Sequence, residues 1–424
     1  MTTMKKKVLV AFSGGLDTSF CVKYLKEEKG YDVYTALVNT GGFSDKELKD
    51  VTAKALKLGA VSHENIDITQ EFYDKALRYM IFGNVLRGNT YPISVSSERV
   101  FQAIAIIEYA KSIGVHAVAH GSTGAGNDQV RFDMIFQTLA PEIEVIALIR
   151  DLALSRQQEI DYLKEHGAAA SWEKSKYSIN QGIWGTSVGG VETLHSDRTL
   201  PEEAYPSQLR ETKVRTITLD FEKGEPVGLN GKKMTPLKVI AELEKIASAY
   251  AIGRDMHVGD TIIGIKGRVG FEAAAAMVII KAHHMLEKHT MTKWQAYWKE
   301  QIGEFYGMLM HEGQYLDPVM RNMEAFLEDS QKSVTGRVGV ILRPYTFLVE
   351  GVQSPYDMMN AGFGEYGEMN KAFTGRDAEG FIKVLALPNK IYYHVNGLSG
   401  QKGVQAAKSA KAAKTTGKAS AKKK

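Results

Sequence analysis

A glycine-rich turn joins a short apolar run to a helical pattern near the start of the chain. Val8–Phe12 reads as a strand, Ser13–Ser19 is rich in glycine and hydroxyl groups, and Thr18–Glu28 has helical spacing. Two glycines let the backbone turn tightly, so that its N–H groups and the helix N-terminus face an anion. The sequence therefore predicts a phosphate-binding loop after the first strand of an α/β fold.

The alternation of strand and helix patterns continues to about residue 165. Further strands are predicted at Val33–Val38, His63–Ile68, Val115–Ala119 and Glu144–Ile149, and further helices at Asp45–Leu58, at Ser97–Ile113 with Ser96 or Ser97 as its cap, and from near Asn127. Such alternation predicts a parallel sheet covered on both faces. Ligands of these sheets bind in the loops at the carboxyl ends of the strands.

After about Ala170 the order of patterns becomes mixed and favours an α+β second domain. A hairpin is expected around Lys223-Gly224, and the remaining elements are Pro236–Tyr250 (helix), Asp260–Phe271 (strand), Glu272–His289 and Thr292–His311 (helices), Val338–Val349 (strands) and Ala378–Val395 (helix or strand). His283 and His284 are adjacent and cannot share one helix face as a metal pair would, so they are interpreted as ordinary helix residues.

Composition excludes several classes of protein. The chain has 424 residues, 44% of them hydrophobic, which is enough for two cores. It has one cysteine, Cys21, which is expected to lie buried in the first helix, so neither a disulfide nor a Cys-x-x-Cys site is expected. No stretch approaches the roughly 20 apolar residues that cross a bilayer, and no signal peptide is evident. A cytoplasmic protein without a membrane partner is expected.

The net charge of +4 is unevenly distributed. Gln401–Lys424 contains lysine, alanine and small polar residues and no acidic residue. This composition predicts a solvated, disordered basic tail. A nucleic-acid-binding arm is the alternative, but the segment has no aromatic residue to stack on bases.

The phosphate loop also carries a carboxylate. Asp17 would repel phosphates unless Mg²⁺ bridges them or the carboxylate contacts a neutral group. The loop lacks the Gly-Lys-Ser/Thr ending of a Walker A motif and resembles the Ser-Gly-Gly-x-Asp-Ser/Thr-Ser loop of the PP-loop ATP-pyrophosphatases. That resemblance implies cleavage of ATP into AMP and pyrophosphate. The alternative is a plain glycine-rich turn.

A second glycine-rich segment, Gly121–Phe132, follows the predicted strand that ends near His120. Asn127 and Asp128 suit an amino group, and the guanidinium of Arg131 suits a carboxylate. These groups favour an amino-acid substrate. The alternative is that Asn127 or Asp128 caps the next helix.

Two further segments are weak signals when taken alone. In Tyr91–Arg99, Ser96 or Ser97 is accounted for by helix capping. The polar, glycine-rich segment between Ser178 and Ser187 is typical of a surface loop.

Taken together, these blocks resemble the argininosuccinate synthase family over nearly the whole chain except the tail. The matching blocks are Ala11–Ser19, His120–Gly124, Gly126–Phe132, the spacing of Ser178 and Ser187, Gly264–Arg268 and Asp377–Phe381. The resemblance implies ATP-dependent ligation of citrulline and aspartate through a citrulline adenylate, as in arginine biosynthesis. It also implies an ATP-binding PP-loop domain at 1–170, an α+β synthetase domain at 171–365, a C-terminal helix for oligomerisation at 366–400 and a homotetramer.

Site residues follow from the same resemblance. ATP is expected on Ala11, Phe12, Ser13, Gly14, Gly15, Leu16, Asp17, Thr18, Ser19, Val38 and Gly121. Aspartate is expected on Thr123, Asn127 and Asp128, and citrulline on Tyr91, Ser96, Asn127, Arg131, Ser178 and Ser187. Asp17, Asp128 and Arg131 are the expected catalytic residues, Mg²⁺ is expected to accompany ATP, and no resident metal is predicted.

The chain departs from the family pattern at the citrulline residues. Gly259 and Phe271 stand where the family usually has a glutamate and a tyrosine, and these two losses remove contacts to the α-amino end of citrulline. Asp260, Glu192 or Glu272 is a nearby replacement. Otherwise the substrate is a relative of citrulline. Two competing functions stay open, that of a PP-loop enzyme acting on tRNA and that of a non-catalytic nucleotide-binding paralogue.

Overall fold

The computed structural model describes residues 5–168, 176–363 and 372–398. The chain divides into two compact units, Met1–Met358 and Met359–Lys424. In the described part of the chain, no helix is both long and apolar enough to span a membrane.

Within residues 5–168, five parallel strands form one sheet. They are β1 (Lys7–Ala11), β2 (Asp32–Asn39), β3 (Ser62–Asp67), β4 (Ala117–Ala119) and β5 (Glu144–Ile146). Their spatial order is β3-β2-β1-β4-β5, so the direction of winding reverses between β1 and β4. The loops that follow β1 and β4 therefore lie side by side at the switch point of the sheet, where α/β proteins bind ligands. The predicted parallel sheet is confirmed, although β5 is shorter than expected.

Helices cover this sheet: α1 (Leu16–Glu27), α2 (Asp45–Leu58), α3 (Thr69–Phe72), a π-helical turn (Tyr73–Leu77), α4 (Arg78–Phe82), α5 (Ser94–Ser112), α6 (Asp128–Leu139), α7 (Leu148–Leu152) and α8 (Arg156–Glu165). Helix α2 has the predicted bounds, with Ser44 in a capping box and Gly59 in the left-handed region at its end. The predicted start and cap of α5 are wrong. The helix begins at Ser94, and both Ser96 and Ser97 donate back to the carbonyl of Ile93.

Among residues 176–363, nine strands form two antiparallel sheets. The strands are β6 (Ser178–Gly182), β7 (Gly185–Gly189), β8 (Arg215–Glu222), β9 (Glu225–Leu229), β10 (Lys232–Lys233), β11 (Arg254–Asp260), β12 (Lys266–Glu272), β13 (Gly336–Arg343) and β14 (Thr346–Gln353). Their orders are β11-β12-β7-β6 and β10-β9-β8-β13-β14. The hairpin at Lys223-Gly224 is confirmed. The strands expected within Val338–Val349 are confirmed as β13 and β14, which meet at a turn where Tyr345 adopts a positive φ angle. The strand-like segment expected at Asp260–Phe271 is interrupted, because Gly264 adopts a positive φ angle in the turn between β11 and β12.

Four helices accompany these sheets: α9 (Pro236–Ala247), α10 (Ala274–Thr290), α11 (Lys293–His311) and α12 (Pro318–Ser330), the last of which was not predicted. One apolar core runs from Leu9 of the parallel sheet to Leu342 of β13. His283 and His284 both lie in α10, and His283 is buried and hydrogen-bonded to Asn84 and Gln331. Cys21 is buried as expected, and burial raises the pKa of its thiol.

The second unit contains two described helices, α13 (Gly375–Leu385) and α14 (Leu387–Val395). The single element expected at Ala378–Val395 is interrupted near Pro388, which occupies the first turn of α14. The predicted basic tail, Gln401–Lys424, lies outside the described residues.

Candidate functional site

The phosphate loop connects β1 to α1. Gly14 has a φ of 77°, in the region that favours glycine, and α1 begins after Gly15. The hydroxyl of Ser19 donates to the carbonyl of Gly15 over 2.7 Å, and Lys54 Nζ donates to the carbonyl of Gly14 over 2.6 Å. These bonds fix the loop with the N-terminus of α1 behind it, which is a suitable geometry for an anion.

The loop after β4 touches the phosphate loop at one residue. A Cβ on Gly121 would lie 3.1 Å from both Asp17 Cβ and Thr18 N, so a glycine is needed for the two loops to approach this closely. His120 orients the second loop, because its Nδ1 accepts from Ser122 N and its Nε2 bonds to Asp133 over 2.7 Å. We call residues 12–19 and 120–126 together the phosphate rim.

A second carboxyl group lies beside the phosphate rim. Glu159 of α8 is 3% exposed, and its carboxyl group lies near that of Asp17. Burial, together with the neighbouring Asp17, raises the pKa of Glu159 to about 7. Both effects disfavour the charged form of Glu159. The sequence analysis missed Glu159, because nothing in its local pattern marks it.

Asp128 lies in the first turn of α6 between two guanidinium groups. Its carboxylate accepts from Arg99 Nε over 3.1 Å and from Arg131 Nη1 over 2.7 Å. Desolvation alone would raise the pKa of Asp128, but the two arginines hold it below its usual value. Asp128 is therefore ionised at neutral pH, where its carboxylate accepts hydrogen bonds but is a weak base. Asn127 makes no capping bond with its side chain, which instead accepts from Ile262 N over 2.8 Å.

Arg131 is 3% exposed and is anchored by α11. Its Nε and Nη2 donate to the backbone carbonyl of His311 over 2.9 and 2.8 Å. His311 Nδ1 in turn lies 3.2 Å from Ser96 Oγ. Burial, followed by Arg131 and Arg87, lowers the pKa of His311 to about 2, so its imidazole is neutral. His311 was also missed, because it lies 180 residues along the chain from its partner.

Tyr91 packs against strands β11 and β12. Its ring stacks on His257 with centroids 5.5 Å apart and packs on Phe271 at 5.2 Å. Its hydroxyl accepts from Ser94 Oγ and Val95 N, each over 3.4 Å. Burial raises the pKa of this phenol, so it stays protonated.

The segment between Ser178 and Ser187 is a hairpin, β6–β7, so the surface-loop interpretation is wrong. The buried Trp184 anchors its turn. Ser187 is buried opposite Phe271, whereas Ser178 is exposed and pairs with Gly189. We refer to the group of Tyr91, Ser96, Arg131, Ser187 and Phe271 as the ureido pocket, after the substrate contacts that the sequence analysis expects in this region.

The tip of this hairpin rests on α5. A Cβ on Gly182 would overlap the carboxyl group of Glu98, and Arg99 Nη2 donates to Asn180 Oδ1 over 3.1 Å. Burial raises the pKa of Glu98 to about 8, so this carboxyl is protonated at neutral pH. The hairpin, α5 and Asp128 are thus joined through Arg99.

The other expected residues lie near these groups. Val38 is the second-last residue of β2, and its carbonyl accepts from Gln102 Nε2 over 3.5 Å. Thr123 lies in the loop after β4, where its carbonyl accepts from Gly126 N. The three acidic replacements proposed for the family glutamate are engaged elsewhere: Asp260 with Lys266, Glu272 with Arg254, and Glu192 with Tyr177.

A parallel sheet with two glycine loops at its switch point defines an α/β nucleotide-binding protein, and the N-terminal family match agrees. Residues 7–169 match the model of the arginosuccinate synthase N-terminal HUP domain, and residues 177–392 match that of the arginosuccinate synthase C-terminal domain. The chain belongs to the argininosuccinate synthase family.

Curated relatives extend this similarity over most of the chain. The argininosuccinate synthase of Methanocaldococcus jannaschii is 36% identical over 392 residues, which cover 92% of this chain and 98% of the relative. That of Staphylococcus saprophyticus is 37% identical, covering 93% and 98%, and that of Halalkalibacterium halodurans is 38% identical, covering 92% and 96%.

Proposed function

We propose that the phosphate rim and the ureido pocket form one active site for the reaction of the family. The chain is a ligase that uses ATP to join citrulline to aspartate, giving argininosuccinate, AMP and pyrophosphate. Which residues perform each step is inferred below from the geometry of the described residues.

ATP lies with its phosphates on the phosphate rim. The backbone of residues 13–15 and the N-terminus of α1 face the phosphates, and the hydroxyls of Ser13 and Thr18 add donors, whereas that of Ser19 is bound to the carbonyl of Gly15. The contact of Gly121 with Asp17 and Thr18 supports this placement, because it keeps side chains out of the space between the loops. The other expected ATP residues are Ala11, Phe12, Gly14, Gly15, Leu16 and Val38.

Asp17 would hold a Mg²⁺ ion that accompanies ATP. No cluster of three or more His, Cys, Asp or Glu side chains suited to a metal occurs in the described residues, so the protein alone provides no full cage. The neighbouring carboxyl groups of Asp17 and Glu159 fit a cation, because its charge would stabilise both in the ionised form. Mg²⁺ commonly binds through one or two carboxylates and substrate phosphates, and it would neutralise charge on the departing pyrophosphate.

Citrulline lies in the ureido pocket, with Tyr91, Ser96, Asn127, Arg131, Ser178 and Ser187 as its expected contacts. Its ureido oxygen attacks the α-phosphorus of ATP, the bond to the β-phosphate oxygen breaks, and pyrophosphate leaves. Arg131 stays rigid because α11 holds it on two nitrogens, so it provides a fixed positive charge next to the reacting groups. Positioning of the two substrates accounts for most of the acceleration.

Aspartate binds next to Thr123, Asn127 and Asp128. Its amine nitrogen attacks the central ureido carbon, the carbon–oxygen bond to the adenylate breaks, and AMP leaves with the former ureido oxygen. The lowered pKa of Asp128 favours binding of the aspartate ammonium over service as a general base. Asp128 is held in position by Arg99 and Arg131.

The observation that carries this proposal is the chain of contacts Asp128–Arg131–His311–Ser96, which joins the amino-acid loop to the ureido pocket. Citrulline labelled with ¹⁸O in the ureido group tests it. We expect one labelled oxygen in the released AMP, and pyrophosphate release that requires citrulline. Pyrophosphate release stimulated by tRNA instead of citrulline, or nucleotide binding without any turnover, would contradict the proposal.

Assembly, location and domain division are part of the same proposal: a homotetramer in the cytoplasm, with an ATP-binding domain at 1–170, a synthetase domain at 171–365, an oligomerisation segment at 366–400 and a tail at 401–424. Helix α11 exposes Trp294, Tyr297 and Trp298, which supports burial of that face in an assembly. Light scattering should give a mass near four times 46.8 kDa. No nucleic-acid partner is proposed.

A further inference from the structure

Beside the ureido pocket, two nitrogen-bearing side chains lie next to Gly259 of strand β11. A Cβ on Gly259 would lie 2.7 Å from His257 Nε2 and 3.6 Å from Arg87 Cζ. His257 stacks on Tyr91, and Arg87 Nη1 contacts the ring of His311. This group, which we call the β11 edge, therefore touches two residues that border or anchor the ureido pocket.

The donors of the β11 edge are only partly satisfied. Arg87 donates to the carbonyl of Asp260 over 2.7 Å and contacts His311, and among the described residues no carboxylate lies within 4 Å of its guanidinium. His257 is 7% exposed, and its Nε2 is a buried nitrogen that has no hydrogen-bond partner in the described structure. A buried polar atom without a partner is costly unless a ligand supplies one.

Most carboxyl groups around this end of the pocket are paired with cations or protonated. Asp128 lies between two arginines, Glu98 is protonated beneath the hairpin, Glu272 pairs with Arg254, and Asp260 pairs with Lys266. Glu312 lies close enough to influence Arg87, and Asp255 to influence His257, but among the described residues neither carboxylate forms an ion pair with them. Electrostatically, this end of the pocket favours an oxygen acceptor over a cation.

We propose that the β11 edge selects a ureido substrate whose α-nitrogen is acylated, so that an Nα-acyl citrulline is preferred to citrulline itself. This inference rests on the proposed function. An amide nitrogen carries no positive charge to be repelled by Arg87, and the acyl oxygen accepts from Arg87 and from the Nε2–H tautomer of His257. The bonds made and broken at the ureido group are unchanged, so the product is the corresponding Nα-acyl argininosuccinate.

Steady-state kinetics on the full chain tests this preference, with pyrophosphate release measured at saturating ATP and aspartate. The three substrates are L-citrulline, Nα-acetyl-L-citrulline and Nα-succinyl-L-citrulline. We expect at least one acyl compound to exceed citrulline in kcat/KM by about tenfold or more, as for one unfavourable charge contact. A larger gain for the succinyl compound would identify the added carboxylate as a ligand of Arg87, and equal gains would identify the acyl carbonyl.

The experiment distinguishes failure of this inference from failure of the proposed function. If citrulline is used as well as or better than both acyl compounds, the inference is wrong and the proposed function stands. If none of the three supports pyrophosphate release, the proposed function fails as well.

Variants of the β11 edge provide an internal test. Gly259→Glu places a carboxylate against Arg87 and should shift the preference toward citrulline by about tenfold or more. Gly351→Glu, on exposed β14 with open space around its Cβ, is the matched control and should leave the preference unchanged. Because Gly259→Glu must displace His257, Arg87→Gln is a second variant, and it should narrow the discrimination against citrulline. If the ratio of kcat/KM for the acyl compounds to kcat/KM for citrulline is unchanged in both variants, the proposed role of the β11 edge is wrong.

Discussion

The phosphate rim and the ureido pocket are built in different ways. The rim consists of two short loops, and glycines within these loops set their shape. The closest approach of the two loops is that of Gly121 to Asp17 and Thr18. The ureido pocket instead combines α5, α6, α11, the β6–β7 hairpin and the β11–β12 hairpin. A nucleotide site can thus be local, whereas the amino-acid site depends on contacts between distant segments. If this comparison holds, variants in each region should affect different substrates.

The largest effect is expected from Gly121→Val at the rim. Its side chain would press on Asp17 and on the backbone of Thr18, which are both 3.1 Å from a Cβ at this position. A displacement of the phosphate loop by about 1 Å is expected to lower kcat/KM for ATP by about 100-fold. Initial-rate kinetics with varied ATP checks this.

Gly126→Ala is the matched control, because its Cβ would meet only ordinary contacts at 3.8 Å or more. The kcat/KM of this variant for ATP should lie within a few-fold of that of the unmodified chain. A similar loss in both variants would show that any substitution in the second loop disturbs ATP, and that the contact at Gly121 is not special.

Arg131→Lys should be next in size and should act on the ureido pocket. Lysine cannot reproduce the fork that joins the His311 carbonyl and Asp128, so one or two charge-assisted hydrogen bonds are lost. We expect kcat/KM for the ureido substrate to fall by about 30-fold, while KM for ATP changes by less than about threefold. Initial-rate kinetics with the ureido substrate and ATP varied in turn separates these two effects.

Arg337→Lys on β13 provides the control, since it changes an Arg–Asp pair of similar geometry far from the site in sequence. It should leave both constants unchanged. If Arg131→Lys raises the KM for ATP as strongly as that for the ureido substrate, the two regions are not separate.

The parallel sheet and the rim could be predicted from sequence because their signals are local. Gly14 and Gly15 stand between an apolar run and a helical pattern, and the bounds of α2 follow from Ser44, Glu47 and Gly59. Hairpin turns were harder. Gly264 interrupts Asp260–Phe271, a segment of strand-like composition, so the turn between β11 and β12 was not predicted.

Partners in the ureido pocket could not be predicted in this way. Arg131 is anchored by a backbone carbonyl 180 residues away, and a carbonyl leaves no trace in side-chain patterns. Glu98 and Glu159 have perturbed pKa values only because other segments bury them. The resemblance to the family supplied Ser178 and Ser187, but it did not reveal that Gly182 and Glu98 are in contact.

Gly182→Ala should have a smaller effect, again on the ureido pocket. Its methyl group would overlap the buried Glu98 carboxyl, so the tip of the β6–β7 hairpin must move. We expect KM for the ureido substrate to rise by about tenfold and the free energy of unfolding to fall by about 1–3 kcal/mol. Gly189→Ala in the same hairpin, with an ordinary 3.8 Å contact, is the control. Equal behaviour of the two alanine variants would mean that the contact with Glu98 does not position the hairpin.

The smallest effect concerns the carboxyl pair at the rim. Because the pKa of Glu159 is raised from 4.5 to about 7 by burial and by Asp17, the folded chain binds this proton more tightly than the unfolded chain does. The stabilisation is present below pH 4.5 and is lost as the pH rises through about 7, so the free energy of unfolding declines across this window. In Glu159→Gln, which cannot ionise, this part of the decline should disappear and leave a difference of about 1 kcal/mol in pH dependence. Urea unfolding at pH 5 and pH 7.5 measures it, with Glu165→Gln on the exposed side of α8 as the control. If Glu159→Gln keeps the pH dependence of the control, Glu159 does not hold a proton in the folded chain, and the rim is fixed by the hydrogen bonds of Ser19, Lys54 and His120 without it.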